Sequence, residues 1–292
     1  MSERSNLIRV AHITPHFGEE PVLTGTKGAG AIFLSGCNLG CVFCQNWQIS
    51  HRRLGERLMT PAQLAEKMLG LQKMGCHNID LISPSHQIKT VRIALQCAKE
   101  QGLTVPVVYN TNSTDDLDGL RSLEGLVDVY LPDLKYSDDR IAQDLSKARH
   151  YGSRARAAIE EMFRQVGHLW PGHEDSLAER GLIIRILVLP ADLSGYSESL
   201  KFIADRIGPE TWISLMAQYN PRPLFDSGNQ EILKTYPDLD RPITEAEYER
   251  VLEVAQALGF ENIFMQECET AVEYGSPDFE RETPFIWDRK VQ

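Results

Sequence analysis

The sequence predicts an α/β protein built around a parallel sheet. Apolar runs of strand length alternate with amphipathic helical stretches along most of the chain. Runs such as Leu182–Leu189 are dense in Val, Ile and Leu with little polar alternation, as in strands covered on both faces. Each run also stops at a cluster of polar residues, where parallel α/β folds place their chemistry. With 292 residues, 42% of them hydrophobic, the chain can bury a sizeable core.

Taken in order, residues 1–30 read as an irregular extension, because Thr14–Pro21 holds two prolines and a glycine. Within it, His16, Glu19 and Glu20 read as a solvated charged loop, with entry into a site as the alternative. The Gly-rich stretch 24–30 lacks G-x4-G-K-S/T and leads into a strand rather than a helix, so it reads as a turn. The first strand is Ala31–Leu34. A helix starts at Thr60-Pro61-Ala62-Gln63, where Thr60 caps, Pro61 takes the first helical position and Gln63 completes a capping box. Leu64, Met68, Leu71 and Met74 follow at helical spacing, and Gly75 ends the helix. Strands are expected at 78–83, 105–109, 127–131, 182–189, 212–217 and 262–266. Helices are expected at 90–100, 117–123, 140–148, 154–166, 200–207 and 245–258. The segment 138–180 is a long charged connection, 219–243 a Pro- and Asn-rich loop, and 275–292 a polar tail. The expected division is an N-terminal extension (1–30), a core (31–218), and a C-terminal loop, helix and tail packed on the same domain (219–292).

A formal charge of −11 argues against a nucleic-acid backbone as main partner, which would call for a basic stripe. No stretch is long and apolar enough to predict a membrane span, and no secretory leader is read at the N-terminus. The expected location is the cytoplasm.

The most specific stretch is Cys37-Asn38-Leu39-Gly40-Cys41-Val42-Phe43-Cys44, with cysteines at C-x3-C-x2-C directly after a strand. Three thiolates in eight residues can grip one metal centre from a single loop, and three ligands for a four-iron cluster leave one iron open. A structural zinc site of Cys37, Cys41, Cys44 and His51 is the competing reading, though no second C-x2-C pair accompanies it. A disulfide framework does not suit so long a chain with few, clustered cysteines. Cys76, Cys97 and Cys268 stand apart from one another and read as core residues. Beyond the cysteines, the strand ends carry Ser83-Pro84-Ser85-His86, Asn110-Thr111-Asn112, Asp133-Leu134-Lys135 and Gln218-Tyr219-Asn220, and Arg185 lies within the fifth strand.

The cysteine spacing, with the aromatic Phe43 before the third cysteine, resembles the radical S-adenosylmethionine (AdoMet, SAM) superfamily. The stretches His16–Glu20, Ser35–Asn46, Tyr109–Thr111, Tyr130–Asp138, Leu187–Pro190 and Ala217–Tyr219 resemble proteins similar to pyruvate formate-lyase activating enzyme, in their PflX-like branch. The resemblance implies a partial (β/α)6 barrel, a [4Fe–4S] cluster on Cys37, Cys41 and Cys44, and AdoMet chelated by the open iron. It implies reductive cleavage of AdoMet to a 5′-deoxyadenosyl radical, which abstracts hydrogen from a glycyl residue of a partner enzyme. A small molecule or peptide is the alternative target, and a non-catalytic iron–sulfur or zinc protein the alternative class. An external one-electron donor such as flavodoxin or ferredoxin is also implied.

By matching position, Phe43 would lie near the adenine, Ser83 and Ser85 would receive the AdoMet ammonium, and Asn112 would approach the ribose. Lys135 would meet the AdoMet carboxylate, and Arg185 would contact the cofactor. Asn110, Thr111 and Asp133 would form a monovalent cation site. His86 and Gln218 complete the expected cofactor-binding set, and His16, His86 and Tyr219 are the expected polar wall of a substrate pocket. The sequence departs from the activating enzymes at Ser83–His86, where they carry Gly-Gly-Glu, at Asn110 for aspartate and at Gln45 for histidine. It also lacks a ferredoxin-like insert.

Overall fold

The computed structural model describes residues 6–171, 176–268 and 277–285. In chain order its elements are β1 (Ile8–His16), α1 (Pro21–Thr24), β2 (Ala29–Leu34), α2 (Trp47–Ser50), β3 (Arg57–Met59), α3 (Pro61–Met74), β4 (Ile79–Ile82) and α4 (Ile88–Glu100). There follow β5 (Val107–Thr111), α5 (Leu117–Arg121), β6 (Val129–Pro132), α6 (Asp139–Ser146), α7 (Tyr151–Val166) and β7 (Gly181–Leu187). The last are α8 (Tyr196–Arg206), β8 (Trp212–Met216), α9 (Arg222–Asp226), α10 (Glu245–Ala257) and β9 (Ile263–Met265).

The strands make one nine-stranded sheet in the order β3-β1-β2-β4-β5-β6-β7-β8-β9. From β2 through β9 neighbours pair parallel in chain order, each crossover carrying helix between strands. This is the partial-barrel architecture expected from the alternation of apolar runs and helices. The α3 start forms as the sequence predicts: Thr60 Oγ1 accepts from Gln63 N at 3.2 Å, and Gln63 Oε1 accepts from Thr60 N at 2.9 Å.

The N-terminal extension is not irregular. β1 is a nine-residue strand, antiparallel to both β2 and β3. Its prolines concealed it, yet Pro15 lies beyond Ile8–Val10, the part that β3 pairs with, so its missing N–H costs no ladder bond on that side. A second correction concerns the expected polar tail. Phe279 and Phe285 fold back onto the inner face of β1 and β2 and pack with Ala11, Ala31, Phe33, Ile49 and Ile82. Phe285 stacks on Phe33 at 5.2 Å between ring centroids, and Phe279 N donates to Gln48 Oε1 at 2.7 Å.

Inside the sheet, α1 acts as a plug. Val22 and Leu23 sit among Val108, Val129, Leu131, Ile183, Trp212 and Phe264. Each such side chain contributes roughly 1.5–3 kcal/mol of burial free energy. The plug closes the end of the interior where β2 begins, since His16 at the end of β1 pairs with Ala29. The cysteine loop leaves the opposite end of β2, after Leu34. The interior is therefore a cavity with a floor formed by the His16–Thr24 segment and a mouth at the cysteine loop.

Candidate active site

The loop after β2 turns at Gly36, whose φ of +85° is the left-handed region that favours glycine, and where an added Cβ would lie 3.3 Å from His86 Nε2. The turn delivers Cys37, Cys41 and Cys44 to one cavity of about 370 Å3. Each sulfur meets a polar neighbour. Ser146 Oγ donates to Cys41 Sγ at 2.9 Å, Asn112 Nδ2 to Cys37 Sγ at 3.5 Å, and Cys44 Sγ lies 3.2 Å from Ser50 Oγ. Burial pushes the Cys41 thiol up to about 11 and the Cys44 thiol up to about 12. Among the described residues, no set of three or more His, Cys, Asp or Glu converges on a single-ion site. His51 is exposed and does not line the cavity, so the Cys3His zinc set is not assembled. Cys76, Cys97 and Cys268 do not line it either. Three soft thiol ligands around a cavity, with donors aimed at the sulfurs, fit an iron–sulfur cluster.

Of the expected cofactor contacts, Phe43, Ser83, Asn110, Asn112, Asp133, Lys135, Arg185 and Gln218 line the cavity. Ser85, His86 and Thr111 do not. Ser85 Oγ is 2.8 Å from Thr111 Oγ1, which donates in turn to Asp115 Oδ2 at 2.5 Å, so both hydroxyls serve a buried network under β5. His86 places Nε2 2.9 Å from Ser35 O and braces the start of the cysteine loop. Tyr219 is also outside: its hydroxyl donates to Leu239 O at 2.7 Å, and its ring meets Phe43 edge-on. Of the expected substrate wall, only His16 reaches the cavity.

Three residues line the cavity in roles other than those their positions suggest. Asn112 commits both amide hydrogens to the cysteine loop, one to Asn38 Oδ1 at 2.8 Å and one to Cys37 Sγ, while its Oδ1 accepts from Thr114. It holds the loop rather than reaching for a ribose. Asp133 Oδ2 accepts from Lys135 Nζ at 2.5 Å, which puts an ammonium where a metal cation was expected. Burial works against the Lys135 charge, but Asp133 outweighs it and holds the ammonium above its ordinary range. Arg185 forks onto Glu20, with Nε on Oε1 at 2.8 Å and Nη2 on Oε2 at 2.6 Å, and Nη2 also donates to Glu19.

Glu19 and Glu20 are therefore not a solvated loop. Their side chains are 7% and 5% exposed, on the cavity floor. Sequence reading kept entry into a site only as the alternative for them, because their partner Arg185 lies in β7, far away in the chain. Tyr151 of α7 was missed. Its hydroxyl accepts from Lys135 N at 2.9 Å and points at the carbonyls of Asp133 and Asn112, at 3.0 and 3.2 Å, tying two strand ends together. Nothing in the charged connection that carries it marks it out.

A model of the radical SAM superfamily matches residues 31–169. An uncharacterized protein of Methanocaldococcus jannaschii is 28% identical over 257 residues, covering 85% of this chain and 67% of that protein. Among solved structures, HydG, a maturase of the [FeFe]-hydrogenase, matches with a TM-score of 0.50 at 11% identity, over 79% of this chain and 48% of that one. A domain of pyruvate-formate lyase-activating enzyme from Bacteroides vulgatus matches with a TM-score of 0.44 at 13% identity, over 63% of this chain and 94% of that one. This chain spans about half the length of HydG, and that likeness speaks to the fold. The match takes in the cysteine loop, most of β2 and the strands β4 to β6, and over those residues the chain is similar to the radical SAM superfamily.

Proposed function

We propose that this protein is a radical AdoMet enzyme whose hydrogen-abstraction target is a small molecule held inside the barrel. When bound at the three cysteines, the [4Fe–4S] cluster supplies one-electron reductive cleavage of AdoMet, giving methionine and a 5′-deoxyadenosyl radical. The residues of the chain do the rest. Cys37, Cys41 and Cys44 hold the cluster; Phe43 and Ser83 line the cavity beside them, placed to meet AdoMet. Gln45 is pinned by its Nε2 on Gln218 O at 2.7 Å, which ties the loop to the end of β8. Lys135, held charged by Asp133, is the ammonium at the mouth that can meet the AdoMet carboxylate. The Asp133–Lys135 pair leaves no need for a monovalent cation there. An external one-electron donor is required, as the chemistry consumes an electron.

The observation that favours a small molecule over a glycyl residue of a partner protein is the cover formed by the C-terminal residues. Pro277 and Phe285 line the cavity together with Met265 and Gln266. Phe285, 4% exposed, packs against His16 at 4.3 Å and stacks on Phe33. An inserted peptide loop would have to displace this aromatic contact, whereas a small substrate would not. Electron paramagnetic resonance tests the choice. The reduced protein, mixed with AdoMet and candidate glycyl radical enzymes, is expected to give no glycyl radical doublet. Such a doublet on a partner would restore the activating-enzyme reading.

A further inference from the structure

Two segments clamp the cysteine loop from outside the cavity. On one flank Gly36 N donates to Ile49 O at 3.0 Å. On the other, Gly40 N donates to Ser146 O at 2.9 Å and Val42 N to Leu145 O at 2.8 Å. Each segment carries a serine whose hydroxyl touches a sulfur, Ser50 at Cys44 and Ser146 at Cys41. In both, the chain then passes at once to exposed basic residues: His51, Arg52 and Arg53 after Ser50, and Lys147 and Arg149 after Ser146. None of these five lines the cavity. The two flanks form one patch. A Cβ added to Gly40 would meet Lys147 Cδ at 3.0 Å, and one added to Gly36 would lie 3.9 Å from Arg53 Nε, so both side chains lie against the loop. The Lys147 charge also reaches His51, where it adds to burial in lowering the imidazole pKa. Arg52 rests over the Trp47 ring at 4.5 Å.

The charge of this patch runs against that of the molecule. Residues 47–59 and 145–159 carry seven Lys and Arg and one carboxylate, Glu56, in a chain of net charge −11. Glu56 is turned to Ser35 Oγ at 2.7 Å. On neighbouring elements, Asp226 and Asp278 pair with Arg222 and Arg281 at 3.1 and 2.8 Å, and Asp139 lies 4.0 Å from His150. Asp144 takes the Tyr236 hydroxyl at 2.6 Å, and Glu280 shares a groove with Arg52. Elsewhere on the surface Arg121, Arg164, Arg206 and Arg241 are ion-paired. Arg52, Arg53, Lys147 and Arg149 make no ion pair with any described residue. The proposed AdoMet cleavage needs one electron from outside, and AdoMet and substrate belong on the inner side of the loop. The electron therefore enters through the outer face. We propose that His51, Arg52, Arg53, Lys147 and Arg149 are the docking surface for an acidic one-electron carrier protein with a flavin or iron–sulfur centre. Charge complementarity steers the encounter and sets its orientation. The carrier gives up one electron and is oxidised by one, and the cluster is reduced by one. This rests on the radical AdoMet reading and names where its electron comes in.

The test uses the full chain, anaerobically reconstituted with cluster, and follows bleaching of the cluster absorbance after stopped-flow mixing. The probes are photoreduced flavodoxin and reduced ferredoxin. With at least one of them the rate is expected to fall about tenfold or more between low salt and about 300 mM NaCl. Arg53→Glu with Lys147→Glu should slow the low-salt rate by about tenfold or more. Reduction by dithionite, which needs no docking, should stay unchanged in that variant. Salt-independent reduction, no reduction by either carrier, an unimpaired double variant, or one slowed equally with dithionite overturns the proposal. Tighter binding of a single-stranded oligonucleotide than of both carriers overturns it too. Should the charge reversal fail to fold, Arg52→Gln with Arg149→Gln is expected to show the same carrier-specific loss at smaller amplitude. Bleaching requires no AdoMet cleavage. A protein that the carrier reduces but that forms no 5′-deoxyadenosine would sink the radical reading and leave the docking surface standing.

Discussion

At the mouth of the cavity, the polar groups come from one short loop, the ends of neighbouring strands and the short helices α2 and α6, and the sulfurs meet the uncharged hydroxyl and amide groups of Ser146, Asn112 and Ser50. At the floor, the groups are charged and come from positions 165 residues apart, Glu20 and Arg185, locked into a shared ion pair. The mouth is arranged to receive a large prosthetic group that brings its own charge. The floor has brought its own charges and nearly balanced them. Thiol chemistry that depends on local spacing thus sits at the cysteine loop, and charge pairing that depends on tertiary assembly at the Glu19–Glu20 segment.

The largest separation between the two ends should appear on removing their central groups. Cys37→Ala, Cys41→Ala or Cys44→Ala is expected to abolish intact cluster, seen as loss of the brown chromophore and of its iron and sulfide content, with little change in the fold of the apoprotein. Cluster retained in any of these variants, or lost equally in Cys76→Ala, would break the assignment. At the floor the reverse is expected. Arg185→Met strands two buried carboxylates and should cost about 3–5 kcal/mol in urea unfolding, a loss that Glu19→Gln and Glu20→Gln together should largely restore. If the single variant is as stable as the parent, the ion pair is not holding the plug.

A smaller effect separates the ends by pH. The Cys41 and Cys44 thiols are raised by burial from the ordinary 9.0 to about 11 and about 12. Between pH 9 and 11 the folded apoprotein therefore retains protons that the unfolded chain has lost, so this stability is complete below pH 9 and declines as pH rises. The slope is roughly 1.4 kcal/mol per pH unit for each thiol. Comparing the apoprotein with the triple Cys→Ala variant by urea unfolding isolates it, and identical pH dependence would show the thiols are not desolvated. The smallest effect lies in the scaffold: Thr60→Ala should cost about 1 kcal/mol through the lost cap of α3, with cluster binding unchanged.

The same contrast explains what the sequence disclosed. C-x3-C-x2-C is a local pattern, and so are the Thr60–Gln63 capping box and the alternation of apolar runs with helices, so the cluster loop and the parallel sheet were legible. Strand ends were legible as places, less so as roles. Asn112, Ser85 and Thr111 have the residue types of ligand contacts, but their hydrogen bonds are taken by Cys37, Asn38 and Asp115. The floor was not legible, because a charged Glu19-Glu20 pair beside prolines looks solvated until Arg185 from β7 is placed over it. Phe285 was hidden for the same reason: the aromatics of the tail, at 279, 285 and 287, follow no strand or helix period that would mark one as buried.

The central claim, that three cysteines at the mouth equip this chain for reductive AdoMet cleavage, is tested most directly by product analysis. The anaerobically reconstituted protein is incubated with AdoMet and dithionite, and the nucleosides are separated by chromatography. The account predicts 5′-deoxyadenosine and methionine in equal amounts, slowly without substrate, and none from Cys41→Ala. S-adenosylhomocysteine as the main product, or no cleavage by protein with a full cluster, would contradict it.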